Sequence, residues 1–309
     1  MITIMSVLYR NRSFFALNHR LTQALNSDTE YRWLVADNEL GKNTISGQRP
    51  LTIIDGVERP KTRDRGSLHH ARALQKCLAR VDTRFVLAMD PDFFVLQRHW
   101  LGRIVSHAIE HDIAFFGSCW HPRWYYQYRY FPSAHFMLID LAKVRVESID
   151  FLPLIENDSF WHLVNNDSSS IPSWLRTTLK IGRLRDTGWQ VYRKYFDHPS
   201  LRHQILIPSF RPPDTARVRL EKNLSFLLPD RLCFVPPRPG AFTKQSFLEQ
   251  VCPQGWTRGW EEFFWNESPF AFHLRSVGRR ESSEAANAAA NSDSDIDLVQ
   301  ELLNKLDLL

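Results

Sequence analysis

Residues 85–94 read FVLAMDPDFF, an apolar run that continues into two aspartates separated by a proline. Phe85–Met89 has the length and composition of a fully buried β-strand, and the residues after Asp92 are apolar again. Pro91 fixes its own φ angle and therefore stiffens the turn between the two carboxylates. The stretch predicts a buried strand that delivers two carboxylates, Asp90 and Asp92, to one edge of a sheet.

Strand-like and helix-like runs alternate around this motif through residues 1–140. Strands that alternate with helices predict βαβ units and a parallel sheet. Three of the first four predicted strands run into an aspartate, namely Asp37, Asp55 and Asp90. Because ligands bind beyond the carboxyl ends of the strands in such sheets, these carboxylates mark the candidate binding edge. The predicted strands are Met1–Tyr9, Tyr31–Ala36, Leu51–Ile54, Arg84–Met89 and Ile113–Phe116, and the predicted helices are Phe14–Leu25 and Ser67–Ala79.

The composition excludes several classes of protein. Of 309 residues, 43% are hydrophobic and 24% are charged, which is typical of a soluble globular chain and excludes a wholly disordered one. No apolar run approaches the roughly 18 residues of a membrane helix, and the first residues lack the basic region of a signal peptide. The four cysteines form no C-x-x-C pair, which favours a reduced, intracellular setting. We therefore expect a cytoplasmic protein.

The charge is only mildly basic, at a formal +5, but arginine dominates it with 30 residues against 9 lysines. The planar guanidinium fork suits phosphate and carboxylate groups better than the lysine point charge does. A genome rich in G and C would produce the same bias. The arginines are scattered and no basic run exceeds a few residues, so no nucleic-acid partner is expected.

The rest of the chain is less regular, with many prolines and tryptophans between about 150 and 270. We expect one domain over residues 1–280, divided into halves at 1–140 and 141–280. Residues 281–295 (ESSEAANAAANSDSD) have the small, acidic composition of a flexible linker.

The last residues, Ile296–Leu309, carry an apolar stripe that predicts an amphipathic helix. A free helix of about 14 residues is marginal in water, so we expect this one to dock on its own domain or on a second copy in a homo-oligomer. Acidic residues outnumber the single Lys305 in the segment, so membrane contact is expected to be peripheral at most.

The pair of carboxylates at 90 and 92 suits a metal ion. A strand fixes the backbone before Asp90, and carboxylate oxygens are the ligands that hard divalent cations prefer. Such a cation keeps coordination positions free for phosphate oxygens. The alternative interpretation is a solvated turn after a buried strand.

Residues 1–140 resemble the nucleotide-binding half of GT-A-type glycosyltransferases, in particular the family-2-like group. Met1–Arg10 resembles their first strand, Trp33–Asn38 (WLVADN) the second, and Arg65–Leu74 the glycine-led helix before the metal-binding strand. Phe85–Phe94 resembles that metal-binding strand in form and spacing. The resemblance covers nearly half of the chain and implies a GT-A-like, Rossmann-like fold: a mixed, mostly parallel sheet flanked by helices, followed by an irregular acceptor-side half.

The resemblance also implies a set of donor-binding and metal-binding residues. Asp37 is expected to contact the base or ribose, and Arg65 and Arg275 to face the diphosphate. Asp92 is expected to bind Mn²⁺ or Mg²⁺, with Asp90 orienting the ribose or a metal-bound water. Phe272–Arg275 (FHLR) resembles a late histidine segment, which implies that His273 completes the metal or diphosphate site; a purely structural histidine is the alternative.

An acceptor-side surface is implied by two later segments. Asp186–Gln190 (DTGWQ) is similar to a segment that carries a carboxylate at the head of a helix, which makes Asp186 the candidate base for the acceptor hydroxyl. Trp120–Phe131 packs seven aromatic residues into twelve, and aromatic rings stack on sugars while arginines hold acidic groups. Core packing is the alternative there, and core and lid are both open for Trp256–Trp265. The expected acceptor-binding residues are Trp120, Arg123, Trp124 and Trp189.

These features together predict a metal-dependent glycosyltransferase that moves a sugar from a nucleotide-diphosphate sugar to a hydroxyl of a glycan or glycoconjugate, with inversion at the anomeric carbon. Two alternatives stay open. A sugar-1-phosphate nucleotidyltransferase shares a similar sheet, but usually has a glycine-rich loop after its first strand, where Tyr9–Ser13 has no glycine. The other is a non-catalytic sugar- or nucleotide-binding protein of the same fold.

Overall fold

A computed structural model describes residues 1–39, 50–60, 65–122, 131–153, 187–211, 241–274 and 285–309, with backbone only for Arg65 and residues 285–293. Four of the predicted site residues therefore lie outside the described residues: Arg123, Trp124, Asp186 and Arg275. The side chain of Arg65 does so as well.

The described residues form ten strands that hydrogen-bond into one mixed sheet. The strands are β1 Ile2–Leu8, β2 Tyr31–Asp37, β3 Leu51–Asp55, β4 Phe85–Met89, β5 Phe93–Val95, β6 Ile113–Ser118, β7 Phe136–Asp140, β8 Arg202–Pro208, β9 Glu261–Trp265 and β10 Ser268–His273. Their order across the sheet is β3-β2-β1-β4-β7-β6-β8-β9-β10-β5. The first four strands of this order run parallel, as the sequence predicts, and antiparallel pairs join β7 to both neighbours and link β8, β9, β10 and β5.

Helices cover both faces of the sheet, which confirms the predicted α/β class. They are α1 Arg12–Leu25, α2 Arg65–Leu78, α3 Trp100–Glu110, α4 Trp189–Tyr195, α5 Leu248–Val251, α6 Pro253–Arg258 and α7 Ala285–Lys305. None of the helices in the described part of the chain is both long enough and apolar enough to cross a membrane.

The residues of β1 alternate between two apolar cores, which is why the whole strand is buried and reads as one apolar run. Ile2, Ile4 and Leu8 face the core beneath α1, α3 and α7. Met5 and Val7 face the core beneath α2 and α4. The binding edge is thus carried by strands that are packed on both sides.

The aromatic segment Trp256–Trp265 belongs to the core and not to a lid. It forms α6 and β9, and the side chains that point from it into the apolar core are buried: Trp260, Phe263, Phe264 and Trp265. Both faces of β9 are covered, so its residues do not alternate between apolar and polar. Sequence analysis therefore has no alternating pattern from which to recognise this strand.

Helix α7 begins at Ala285, inside the range that the sequence predicts to be a flexible linker (residues 281–295), and this part of the prediction is wrong. The reason is alanine, which has the highest helix propensity and is frequent in AANAAAN. The helix packs on its own chain, where Leu298, Val299, Leu302 and Leu303 are buried in the core that α1 also lines. Homo-oligomerisation and the predicted division of the chain into two halves stay predictions.

We expect Leu303→Ala to lower the free energy of unfolding by about 2–5 kcal/mol, because the side chain is fully buried and its removal leaves a cavity. Urea denaturation measures this change. The control is Glu301→Ala on the exposed side of the same helix, which should shift the free energy by less than about 0.5 kcal/mol. Equal stability of the two variants would show that α7 does not belong to the folded core.

Candidate metal centre

The turn Asp90-Pro91-Asp92 joins the middle of the sheet to its far edge. It leaves β4, which lies between β1 and β7, and enters β5, which lies at the opposite end of the strand order beside β10. The backbone of each aspartate is held by a different neighbouring strand: the N–H of Asp90 donates to the carbonyl of His135 at 2.9 Å, and the carbonyl of Asp92 accepts from the N–H of Leu274 at 3.1 Å. The turn is therefore fixed by strand pairing on both sides.

A buried amide on α1 also holds this turn. Asn18 Nδ2 donates to Pro91 O at 3.1 Å and to Phe93 O at 2.7 Å. Ser6 Oγ, on β1, donates to Met89 O at 2.8 Å. Backbone carbonyls before, within and after the turn are thus paired, as buried carbonyls must be.

Three imidazoles surround the Asp90 carboxylate. His135 Nδ1 lies 3.1 Å from Oδ2, His70 Nε2 lies 3.4 Å from Oδ1, and His273 Nε2 lies 3.7 Å from Oδ2. Burial by itself raises the pKa of Asp90, but these three imidazoles outweigh it and hold the pKa well below its ordinary value. Asp90 is therefore an anion at neutral pH.

His273 lies between two carboxylates. Its Nε2 is 3.4 Å from Asp92 Oδ1, and its Nδ1 is 2.8 Å from Glu261 Oε2. Burial works to lower the pKa of His273, but Asp92 and Glu261 outweigh it and raise the pKa well above the ordinary value. Burial likewise works to raise the pKa of Glu261, and the hydrogen bond from His273 reverses this and lowers it. Each nitrogen of the buried His273 ring therefore has a carboxylate partner.

The donor set fits a divalent cation. Asp90, His135 and His273 each offer one ligand atom, and the three atoms lie within 4.8 Å of one another. His135 Nε2 is buried and has no hydrogen-bond partner among the described residues, so an acceptor or a cation there would satisfy it. One carboxylate with two imidazoles suits a transition-metal dication such as Mn²⁺ better than it suits Mg²⁺, which prefers oxygen ligands.

The structure brings together Asp90, Asp92 and His273, the three residues that the sequence predicts at the metal site. Sequence reasoning misses His135 and Glu261. His135 directly precedes Phe136–Asp140, an apolar run that is long enough for a strand. This run is β7, which pairs with β4 and so places His135 beside Asp90. Glu261 carries no local signal, because it lies within an aromatic run and meets His273 only through the register of β9 and β10.

Asp37 lies at the same edge of the sheet as Asp90, because β2 and β4 both run parallel to β1, which lies between them. Its carboxylate already has two partners: Oδ2 accepts from the Arg12 guanidinium on α1 at 2.5 Å, and Oδ1 accepts from the backbone N–H of Glu39 at 3.0 Å. A contact between Asp37 and a nucleotide stays a prediction.

The two described tryptophans among the predicted acceptor residues are both at least partly buried. Trp120 is 4% exposed and its ring lies 6.5 Å from that of His135, so little of its surface is accessible to an acceptor. Trp189 opens α4 and packs on Tyr192. Close to it, Thr187 Oγ1 donates to Ser67 O at 3.1 Å and lies 3.4 Å from His70 Nδ1. The residue that follows Asp186 in the chain therefore contacts a ring that contacts Asp90.

No protein-family model matches this chain, and no curated protein matches it. Among solved structures, S. aureus TarS 1-349 in complex with UDP-GlcNAc is 13% identical with a TM-score of 0.36, over 48% of this chain and 48% of that chain. This chain thus spans about half the length of the TarS chain.

Two other solved structures are similar over a larger share of the chain. The galactosyltransferase LgtC in complex with donor and acceptor sugar analogues is 16% identical with a TM-score of 0.42, over 78% of this chain and 85% of that chain. The mannosyltransferase PcManGT from Pyrobaculum calidifontis in complex with GDP-Man and Mn²⁺ is 11% identical with a TM-score of 0.34, over 98% and 84% of the two chains. With all three TM-scores below 0.5, these similarities carry no inference about ligands of this chain.

We expect Asn18→Ala to lower the free energy of unfolding by about 1–3 kcal/mol, because it leaves the carbonyls of Pro91 and Phe93 buried without their donor. Arg20→Ala, on the exposed face of the same helix, is the control and should change stability by less than about 0.5 kcal/mol. Chemical denaturation monitored by tryptophan fluorescence compares the two. A stability of Asn18→Ala equal to that of the control would mean that the amide does not hold the turn.

Proposed function

We propose that this chain is a GT-A-type glycosyltransferase that moves a sugar from a nucleotide-diphosphate sugar to a hydroxyl of a glycan or glycoconjugate. The observation that carries the proposal is the convergence of Asp90, Asp92 and His273 on one rigid turn at the carboxyl edge of the parallel strands. Carboxylates and an imidazole at that edge suit a divalent cation beside a bound diphosphate.

Asp90, Asp92, His135 and His273 are the residues that would hold this cation, with Mn²⁺ favoured over Mg²⁺ by the imidazoles. When bound, the cation supplies positive charge that stabilises the diphosphate as it leaves. Arg65 and Arg275 are proposed to add positive charge at the same diphosphate, and Asp37 to bind the base or ribose.

The transfer is proposed to be a single displacement with inversion. The acceptor hydroxyl oxygen attacks the anomeric carbon, the bond from that carbon to the diphosphate oxygen breaks, and the nucleoside diphosphate leaves with the electron pair. Asp186 accepts the hydroxyl proton as general base. The contact of Thr187 with His70, which in turn contacts Asp90, supports this assignment because it brings the neighbour of Asp186 to the site.

The acceptor is proposed to bind through Arg123, Trp124 and Trp189. Trp120, which is 4% exposed and faces the ring of His135, is left out of this set. We further propose that the enzyme acts in the cytoplasm. Cys77 and Cys252 are buried free thiols, and burial raises the pKa of Cys77 to about 12, so it stays protonated and inert.

Release of nucleoside diphosphate from a panel of nucleotide sugars tests the proposal directly. We expect activity with Mn²⁺ that chelator abolishes. We also expect Asp92→Asn to lower kcat/KM by at least about 100-fold, because the variant would hold less tightly the cation whose positive charge would stabilise the leaving diphosphate. Asp112→Asn removes an exposed carboxylate on another part of the surface and should retain full activity. Turnover of no donor in the panel, or full turnover in chelator, would reject this function.

The base assignment makes a separate prediction. Asp186→Asn should lower kcat by about 100-fold or more and leave the donor dissociation constant unchanged, because a general base acts only in the chemical step. Asp197→Asn, an exposed aspartate just beyond α4, is the matched control and should behave as the wild type does. Pre-steady-state kinetics and donor titration separate the two parameters. Wild-type transfer by Asp186→Asn would assign the base elsewhere.

A further inference from the structure

Two adjacent carboxylates on β9 are both buried, and they have different partners. Neighbouring residues of a strand point to opposite faces of the sheet. Glu262 is 1% exposed and accepts hydrogen bonds from Ser246 Oγ at 2.6 Å and from the backbone N–H groups of Phe247 and Leu248 at 2.8 and 3.1 Å. Glu262 therefore anchors the start of α5, which is a structural role.

Glu261 is fully buried and faces the metal centre. Strands β9 and β10 pair antiparallel with Glu261 directly opposite His273, and Glu261 Oε2 lies 2.8 Å from His273 Nδ1. This hydrogen bond leaves the other ring nitrogen, Nε2, on the side of Asp92 and Asp90, at 3.4 and 3.7 Å. If the His273 ring turned about its Cβ–Cγ bond, Nδ1 would lose Glu261 and Nε2 would lose Asp92 and Asp90 at the same time.

Stability alone does not explain a carboxylate in this position. Removing a carboxylate from water costs several kcal/mol, and the attraction to a buried partner often does no more than offset that cost. An apolar pair of similar volume would fit the ring-lined surroundings, where the Phe93 ring centroid lies 5.7 Å from that of His273. The ionisable pair therefore points to a role that depends on the orientation of the imidazole.

We propose that Glu261 is a positioning residue of the metal centre: it accepts the Nδ1–H of His273 and thereby directs Nε2, as the ligating nitrogen, to the cation held by Asp90 and Asp92. A carboxylate behind a ligating histidine fixes the tautomer and strengthens the metal bond. The inference rests on the metal-dependent function proposed above, and its test uses metal binding without a sugar donor.

Titration with Mn²⁺ alone, followed by the EPR signal of the free aqua ion, measures the dissociation constant. We expect Glu261→Gln to bind Mn²⁺ about 10–100-fold more weakly than the wild type, the usual effect of losing the carboxylate behind a metal-bound histidine. Glu262→Gln is the matched control: the neighbouring carboxylate is equally buried, so this variant should lose stability but keep the wild-type dissociation constant.

A double-mutant cycle with His273→Asn tests whether Glu261 acts through the histidine. In the His273→Asn background, Glu261→Gln should have no further effect on Mn²⁺ affinity, because the nitrogen that it positions is gone. A structural role would instead add the same loss in both backgrounds. Glu261→Asp, which keeps the charge but is too short for the 2.8 Å contact, should weaken binding as Glu261→Gln does.

Wild-type Mn²⁺ affinity in both Glu261 variants would overturn the inference, as would equal losses in Glu261→Gln and Glu262→Gln. If the wild type binds Mn²⁺, and Glu261→Gln weakens that binding, but no donor is turned over, the positioning role stands and the proposed transferase function fails. If donor is turned over and Mn²⁺ affinity does not depend on Glu261, the function stands and the positioning role fails. A wild type that binds no Mn²⁺ overturns both.

Discussion

The pairing of β5 with β10 is the constraint on which the site depends. The chain leaves β4, the last of the four parallel strands, in the middle of the sheet and must re-enter the sheet at its far end, with only Asp90, Pro91 and Asp92 between β4 and β5. The antiparallel half therefore has to bring β10 and its last residue, His273, next to the turn. Strand registers, not a flexible loop, set the distances between the carboxylates and the imidazoles, which is the preorganisation that a binding site requires.

The site places several ionisable side chains beside the apolar core, and two of them, Glu261 and His273, are buried. Three carboxylates, Asp90, Asp92 and Glu261, contact the imidazoles of His70, His135 and His273. Buried charges are tolerated when they are paired and hydrogen-bonded. The same pairing holds the ligand atoms in place, so folding and metal binding depend on one set of interactions. Asn18 and Ser6 complete it by pairing the backbone carbonyls of the turn.

The sequence predicts the parallel part of the fold well, because β1, β2 and β4 are buried on both faces and read as continuous apolar runs, and α1 and α2 show helical periodicity. It predicts Asp90, Asp92 and His273 from a local motif and a resemblance. His135 and Glu261 lie beyond its reach, because each meets its partner through the register of an antiparallel pair that no local pattern encodes. At the start of α7 a local signal is present but is misinterpreted. The small-residue composition suggests a linker, whereas the high helix propensity of alanine favours the helix that the structure contains.

Pulsed EPR of the Mn²⁺-loaded protein is the most direct test that this turn is a metal centre. Imidazole nitrogens bonded to Mn²⁺ produce nitrogen modulation in the electron spin echo, and labelling the histidines with ¹⁵N changes that modulation. We expect nitrogen modulation that responds to ¹⁵N-histidine and decreases in His273→Asn. A bound Mn²⁺ whose echo contains no histidine nitrogen, or whose spectrum is the same in His273→Asn, would show that His273 does not bind the metal at this turn.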